Sequence, residues 1–264
     1  MTPDERAWLA LVIFGPIPWL ALAFLYRLGV RPFGPQRCRA TPWGVPDVLV
    51  LLAALVPQFV LALRGLLVER DDKPPAAGVA AVQFGLLVEI TLPIVLLTVR
   101  GARLYQMGIH CDRLLTNVAA GVASFFLSLP LIGAAFLAST LFFEPKKHQV
   151  EQLLRGAPTL GNFVLLGALV VVAGPAFEEL IFRGILLPGL KQRFGAWPAI
   201  IGSSAIFAAL HVDAWPAPIP LFVLALFLGY LAHRTGSLVG PVILHATFNG
   251  ANMIALGVEL TRSS

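Results

Sequence analysis

Long apolar runs dominate this sequence and restrict the folds open to it. The chain has 264 residues, of which 58% are hydrophobic and only 12% are charged. Its mean hydropathy is +0.83, whereas soluble domains contain roughly 45–50% apolar residues. Because about 20 apolar residues are enough for a helix to cross a bilayer, the sequence predicts an all-α, polytopic transmembrane helical bundle.

About eight segments are predicted to span the membrane, and together they form a single membrane domain over residues 1–264. The predicted spans are 8–26, 45–63, 76–99, 117–143, 159–187, 198–211, 219–232 and 238–257. The sixth and seventh spans are short, so seven spans are the alternative. The first span lacks the basic flank and cleavage site of a signal peptide, and we expect it to be retained.

Basic residues in the connections predict the orientation. With eight spans, the odd-numbered connections hold ten Lys and Arg residues and the opposite side holds eight. The positive-inside rule then places the odd connections in the cytoplasm and both termini outside. Cys38 and Cys111 lie in odd connections, so we expect no disulfide between them. The basic residues flank the spans, which favours lipid headgroups over nucleic acid as their partners.

Charged side chains interrupt the fifth apolar run, where each one costs at least about 2.5–3.5 kcal/mol at the bilayer centre. Gly174 and Pro175 precede Glu178 and Glu179, and Arg183 follows. Glu179 precedes Arg183 by four residues, and an acidic residue on the N-terminal side of a basic one at this spacing favours a helical ion pair. Glu178 points about 100° away from that pair, which makes it the candidate general base on water. Alternatively, all three charges are interfacial and contact headgroups.

Two further polar pairs follow at helical spacing. Phe207 and His211 share one face of the sixth span, and His245 and Asn249 share one face of the last. At 1.5 Å per residue, Glu178, His211 and His245 lie roughly 10–20 Å from the odd-connection side, so we expect them to meet in one cavity. There they would ligate a divalent metal such as zinc or, without a metal, polarise a water. Asn249 would donate to a developing oxyanion.

The three motifs, in this order, resemble the signature of the CAAX protease and bacteriocin-processing family, which includes the type II CAAX prenyl endopeptidases. The matching motifs are Glu178-Glu179-x-x-x-Arg183, Phe207-x-x-x-His211 and His245-x-x-x-Asn249. The resemblance covers about residues 116–257 and implies a helical bundle with a conical cavity open toward the cytoplasm. It also implies two sets of site residues: Glu178, His211, His245 and Asn249 as catalytic, with Glu179, Arg183 and Phe207 in support.

The sequence therefore predicts an intramembrane endopeptidase that hydrolyses a peptide bond near the membrane surface. We expect Glu178 and one histidine to activate water, while His245 and Asn249 stabilise the oxyanion. We expect a peptide or a membrane-anchored protein as substrate and, from the Arg-, Ala- and Leu-rich composition, a bacterial inner membrane with the site facing the cytoplasm. One alternative is a proton- or ion-coupled transporter that uses Glu89, Glu178 and His211, although no inverted repeat supports it. The other is a non-catalytic immunity or scaffold protein of the same fold.

Overall fold

The computed structural model describes residues 41–50, 101–146, 149–156 and 159–263, with a few isolated positions before residue 100. Within these ranges the regular elements are all helical and none is a strand, which confirms the all-α fold class. Most of the first three predicted spans lie outside the described residues, as do Cys38 and Glu89.

Six helices of eight or more residues make up the described bundle. They are α1 (Leu114–Thr140), α2 (Gln149–Gly156), α3 (Leu160–Phe194), α4 (Ala196–Ala209), α5 (Pro218–Thr235) and α6 (Val239–Ser263). Two short 3-10 helices accompany them, Leu104–Met107 before α1 and Val212–Ala214 between α4 and α5. Residues 45–50 are also helical.

Four of these helices are long and apolar enough to cross a membrane, namely α1, α3, α5 and α6. Helix α4 is apolar as well, but it has only 14 residues, fewer than the roughly 17–25 of a full crossing. The last five predicted spans coincide with α1 and α3 to α6, although α3 continues to Phe194, beyond its predicted end at 187. A total of about eight spans is not confirmed by the described residues.

Helix α6 is held by close packing against α1 and α5. At Gly121 of α1, an added Cβ would lie 2.6 Å from the carbonyl oxygen of Gly240 and 2.9 Å from Ile243 Cβ, both in α6. A glycine at this position therefore lets the two helix backbones approach closely. Leu228 of α5 and Leu244 of α6 are fully buried in the same cluster. This packing fixes the helix that presents His245 and Asn249.

Helix α3 is not a regular α-helix. Two π-helical segments, Leu169–Ala173 and Leu180–Leu186, flank a six-residue α-helical segment, Gly174–Glu179. The N–H of Gly174 bonds to the carbonyl of Leu169, five residues back, and the next residue, Pro175, has no N–H to donate. Such π segments are rare and are found frequently at functional sites. Glu178 and Glu179 end the short segment between them.

Candidate active site

A buried ion pair forms the base of the candidate site. Arg183 Nη1 donates to Glu179 Oε1 at 2.9 Å, and both side chains are fully buried. Arg183 Nη2 also donates to the carbonyl oxygen of Ala225 in α5, at 3.2 Å. The guanidinium carbon lies 4.8 Å from the ring centroid of Phe207 in α4. The i,i+4 pair that the sequence predicts is therefore present, and it also joins α3 to α4 and α5.

The same carboxylate oxygen holds His245. His245 Nδ1 lies 2.9 Å from Glu179 Oε1, and the imidazole is buried. Because the ionised carboxylate can only accept, Nδ1 bears the proton, and Nε2 of the neutral ring keeps its lone pair. Glu179 therefore sets both the tautomer and the orientation of His245. Sequence reasoning gave Glu179 one partner, Arg183, and missed this contact between α3 and α6.

Glu178 faces the other nitrogen of the same imidazole. Its Oε2 lies 3.8 Å from His245 Nε2, which is too far for a direct hydrogen bond. Glu178 Oε2 has no hydrogen-bond partner among the described residues, although 36% of the side chain is exposed. Two acceptor atoms thus face each other across a short gap, and a water molecule can donate one hydrogen to each of them.

Phe207 brings the second histidine to the same cluster. Its fully buried ring lies 4.9 Å from the His211 ring and 5.7 Å from the His245 ring, measured between centroids. His211 Nδ1 lies 3.0 Å from the carbonyl oxygen of Phe207, so this nitrogen also bears the proton and Nε2 is left available. Phe207, predicted as a supporting residue, contacts both imidazoles.

Asn249 makes a contact that the sequence did not predict. It lies one helical turn after His245 in α6, and its Nδ2 donates to the carbonyl oxygen of Val170 at 2.9 Å. Val170 belongs to the first π segment of α3. One of the two Nδ2 hydrogens therefore bonds to the main chain of α3, and the other is left for a further acceptor. The predicted contact of Asn249 with the oxyanion stays a prediction.

The donor set predicted for a metal is Glu178, His211 and His245. Among the residues that the structure describes, no three His, Cys, Asp or Glu side chains form a group that could hold a metal ion. Glu178 approaches His245 directly, whereas His211 contacts the intervening phenylalanine ring. In the described part of the chain, these three donors are therefore not gathered as metal ligands.

A cavity of about 230 Å³ lies at the ends of α3 and α5, where Arg183, Lys191 and His233 contribute to its lining. Glu178, His211 and His245 are not among the residues that line it. Their meeting in one cavity, which was inferred from their depths in the membrane, stays a prediction.

Taken together, the helical membrane bundle and its buried Glu-Arg-His cluster define a candidate intramembrane hydrolase. Residues 160–251 match the family model described as "Type II CAAX prenyl endopeptidase Rce1-like". This segment includes all three motifs, so the predicted resemblance is confirmed over it. The four membrane-length helices indicate an integral membrane protein, and the family match over residues 160–251 suggests a CAAX-type protease with a peptide or protein substrate. Comparisons with curated proteins and with solved structures found no match.

Proposed function

We propose that this protein is an intramembrane endopeptidase in which Glu178 and His245 together activate water. The observation that supports it is the 3.8 Å separation between Glu178 Oε2 and His245 Nε2. With Nδ1 bound to Glu179, Nε2 is an acceptor, as is the carboxylate of Glu178. A water that donates to both has its lone pairs directed away from them, toward the carbonyl carbon of a substrate.

In the first step, the water oxygen bonds to the scissile carbonyl carbon while one of its protons passes to the Glu178 carboxylate. The carbonyl oxygen becomes an oxyanion. In the second step, Glu178 returns the proton to the amide nitrogen as the C–N bond breaks, which releases a carboxylic acid and an amine. Glu178 is thus first the general base and then the general acid, and it ends each turnover as it began.

Glu179 acts as the orienting carboxylate behind this pair. It fixes the proton of His245 on Nδ1 in the way that a buried aspartate orients the histidine of a Ser-His-Asp triad. Arg183 supplies the positive charge that allows a buried Glu179 to stay ionised. A Glu179 without this partner would hold the imidazole less firmly and would no longer impose its tautomer.

We assign His211 to the oxyanion. The carbonyl of Phe207 accepts from its Nδ1, and Nε2 is a further donor when it also carries a hydrogen, as in the doubly protonated ring. A positioned donor of this kind stabilises the negative charge that develops on the substrate oxygen. Phe207 separates this donor from the water-activating pair, because its ring contacts both imidazoles.

The family description contains the words "CAAX prenyl endopeptidase", which favours prenylated CAAX proteins as substrates. The bacterial character predicted from composition favours an unmodified peptide or a membrane-anchored protein. A purified preparation in liposomes, given fluorogenic reporter peptides with and without a farnesyl group, tests both classes. We expect cleavage of at least one reporter, and the preferred reporter identifies the substrate class.

Two glutamine variants test the mechanism with the same reporters. Glu178→Gln removes the base without changing the shape of the side chain, so we expect it to abolish turnover and leave unfolding unchanged. Glu151→Gln is the matched control, because Glu151 lies in α2 and pairs with Arg155, away from the cluster. Turnover that persists in Glu178→Gln would refute the proposal. If the native protein instead carried protons across the membrane without cleaving any reporter, and Glu178→Gln abolished this flux, the transporter alternative would be favoured.

Adding a chelator distinguishes activation of water by the side chains alone from activation by a bound metal. Cleavage that continues unchanged in EDTA agrees with activation by Glu178 and His245 alone. Cleavage that stops in EDTA and returns with added zinc would assign these side chains to a metal instead.

A further inference from the structure

The cavity at the ends of α3 and α5 has no part in the proposed reaction, and its position can be related to the membrane. Helix α5 has 18 residues, which at 1.5 Å per residue gives roughly 27 Å, close to the roughly 30 Å thickness of the hydrocarbon core. The last turn of α5 therefore lies at a membrane boundary. Lys191 Nζ lies 2.9 Å from His233 Nδ1 in that turn, so the part of α3 that holds Lys191 lies at the same boundary.

The ionisable side chains of this cavity favour an anion. Arg183, Lys191 and His233 line it, and none of the described lining residues is an Asp or Glu. Glu179 offsets the charge of Arg183, so Lys191 is the main source of positive charge for a ligand. Because an ammonium can only donate, its bond to His233 places the imidazole hydrogen on Nε2. The pair therefore combines a positive charge with a second N–H donor, and phosphate oxygens accept from such groups.

The rest of the lining favours an amphiphile over a small free anion. Met107, Leu187 and Leu238 contribute apolar side chains to the same cavity, and carbon chains cover such surface better than water does. The volume of about 230 Å³ is below the roughly 300–1,000 Å³ of pockets that enclose drug-sized ligands. The cavity therefore has room for the headgroup end of a lipid, with the acyl chains left in the bilayer.

We propose that this cavity binds the phosphate group of an anionic phospholipid from the leaflet at that boundary, with Lys191 and His233 as the donors. Basic pockets between membrane helices bind acidic headgroups elsewhere. The proposal goes beyond the protease function and does not depend on it, since neither donor belongs to the catalytic cluster. Arg183 is not used as a test position, because it also holds Glu179.

Titration of phosphatidylglycerol into the purified chain in an uncharged detergent tests the site, with Tm as the readout. A ligand that binds only the folded chain raises Tm as its concentration increases. We expect this rise with phosphatidylglycerol and no rise with phosphatidylcholine. Inorganic phosphate and glycerol phosphate, at matched ionic strength, separate a lipid from a soluble source. The same rise with either of them, at the same concentration, would overturn the lipid as the ligand.

A pair of substitutions in α3 separates the cavity from the surrounding basic surface. Lys191→Gln removes the charge, and Arg193→Gln is the matched control, because Arg193 lies in the same last turn but is not among the residues that line the cavity. A basic residue near anionic lipid contributes a factor of about five in affinity. Lys191→Gln should therefore weaken the apparent affinity for phosphatidylglycerol by at least about fivefold, and Arg193→Gln should leave it unchanged.

Two results with these variants would refute the site. Equal losses of affinity in both would show a diffuse attraction between basic residues and the membrane. A lower Tm of Lys191→Gln without lipid, with an unchanged response to phosphatidylglycerol, would show that Lys191 only balances the C-terminal dipoles of the helices. His233→Ala removes the second donor and decides the question if Lys191→Gln does not fold: a weaker response supports the site, and an unchanged one contradicts it.

Discussion

Replacing Arg183 with alanine should destabilise the protein strongly. The substitution removes the guanidinium that bonds to Glu179 and to the carbonyl of Ala225. Glu179 is then a fully buried carboxylate whose remaining hydrogen bond comes from His245. Removing one partner of a buried ion pair typically costs about 3–5 kcal/mol, because the remaining charge is left uncompensated. We expect a loss within this range.

The chain offers a matched control for this substitution. Glu151 and Arg155 have the same order and spacing as the buried pair, and their Nε–Oε1 distance is 2.8 Å. Their side chains are 25% and 27% exposed. Hydrogen bonds to Glu259 and then to Glu151 raise the pKa of Arg155 above its usual value, yet water screens these charges. Arg155→Ala should therefore cost only a small fraction of what Arg183→Ala costs.

Unfolding in detergent, followed by heat and by denaturant, measures both variants against the native chain. Adding Glu179→Gln to Arg183→Ala should cost little more, since the uncompensated charge has gone. Equal stability of Arg183→Ala and Arg155→Ala would show that burial does not decide the strength of these pairs, and the argument would fail. A large additional loss in the double variant would show that the cost comes from lost packing instead.

Three further predictions follow from the same geometry. Glu179→Gln should lower kcat by several orders of magnitude, roughly 10⁴-fold as in Ser-His-Asp triads. The amide of glutamine can donate to His245 Nδ1, which moves the imidazole proton to Nε2. A near-native kcat would contradict this. Gly121→Ala should lower the free energy of unfolding by about 1–3 kcal/mol through overpacking. Gly161→Ala is the control and should not lower it, because a Cβ added at Gly161 has no atom within 4 Å. Cys111 is exposed. In a variant that keeps it as the single cysteine, it should not react with a membrane-impermeant thiol reagent in intact cells and should react after lysis. Reaction in intact cells would reverse the predicted orientation.

The sequence predicts those features that depend on neighbours along the chain. Apolar runs locate α1 and α3 to α6 because crossing a membrane requires many consecutive apolar residues. The pair between Glu179 and Arg183 follows from a spacing of four residues on one helix. The motif order was sufficient to indicate the family, which the match over residues 160–251 confirms.

The contacts between helices could not be predicted from the local sequence pattern. His245 and Glu179 are 66 residues apart in the chain, and nothing in either local pattern says that their helices face each other. Regular α-helical periodicity also fails within α3, because each π segment shifts the faces of the residues that follow it. Pro175 was a signal of an altered helix, but the bond from Asn249 to the carbonyl of Val170 depends on the packing of α6.

The adjacent glutamates show how tertiary contacts place identical side chains in different environments, from which the proposed roles follow. Glu179 Oε1 accepts from Arg183 and from His245 inside the bundle, so this carboxylate is neutralised and held. Glu178 is partly exposed, whereas Glu179 is fully buried. The Oε2 atom of each has no hydrogen-bond partner in the described part of the chain. A carboxylate oxygen that already accepts from two cationic or polar donors is a poor base, whereas one without a donor beside an oriented imidazole is better placed to take a proton from water. The proposed roles therefore follow from which nitrogen of His245 each glutamate faces: Glu179 bonds to Nδ1 and Glu178 lies 3.8 Å from Nε2.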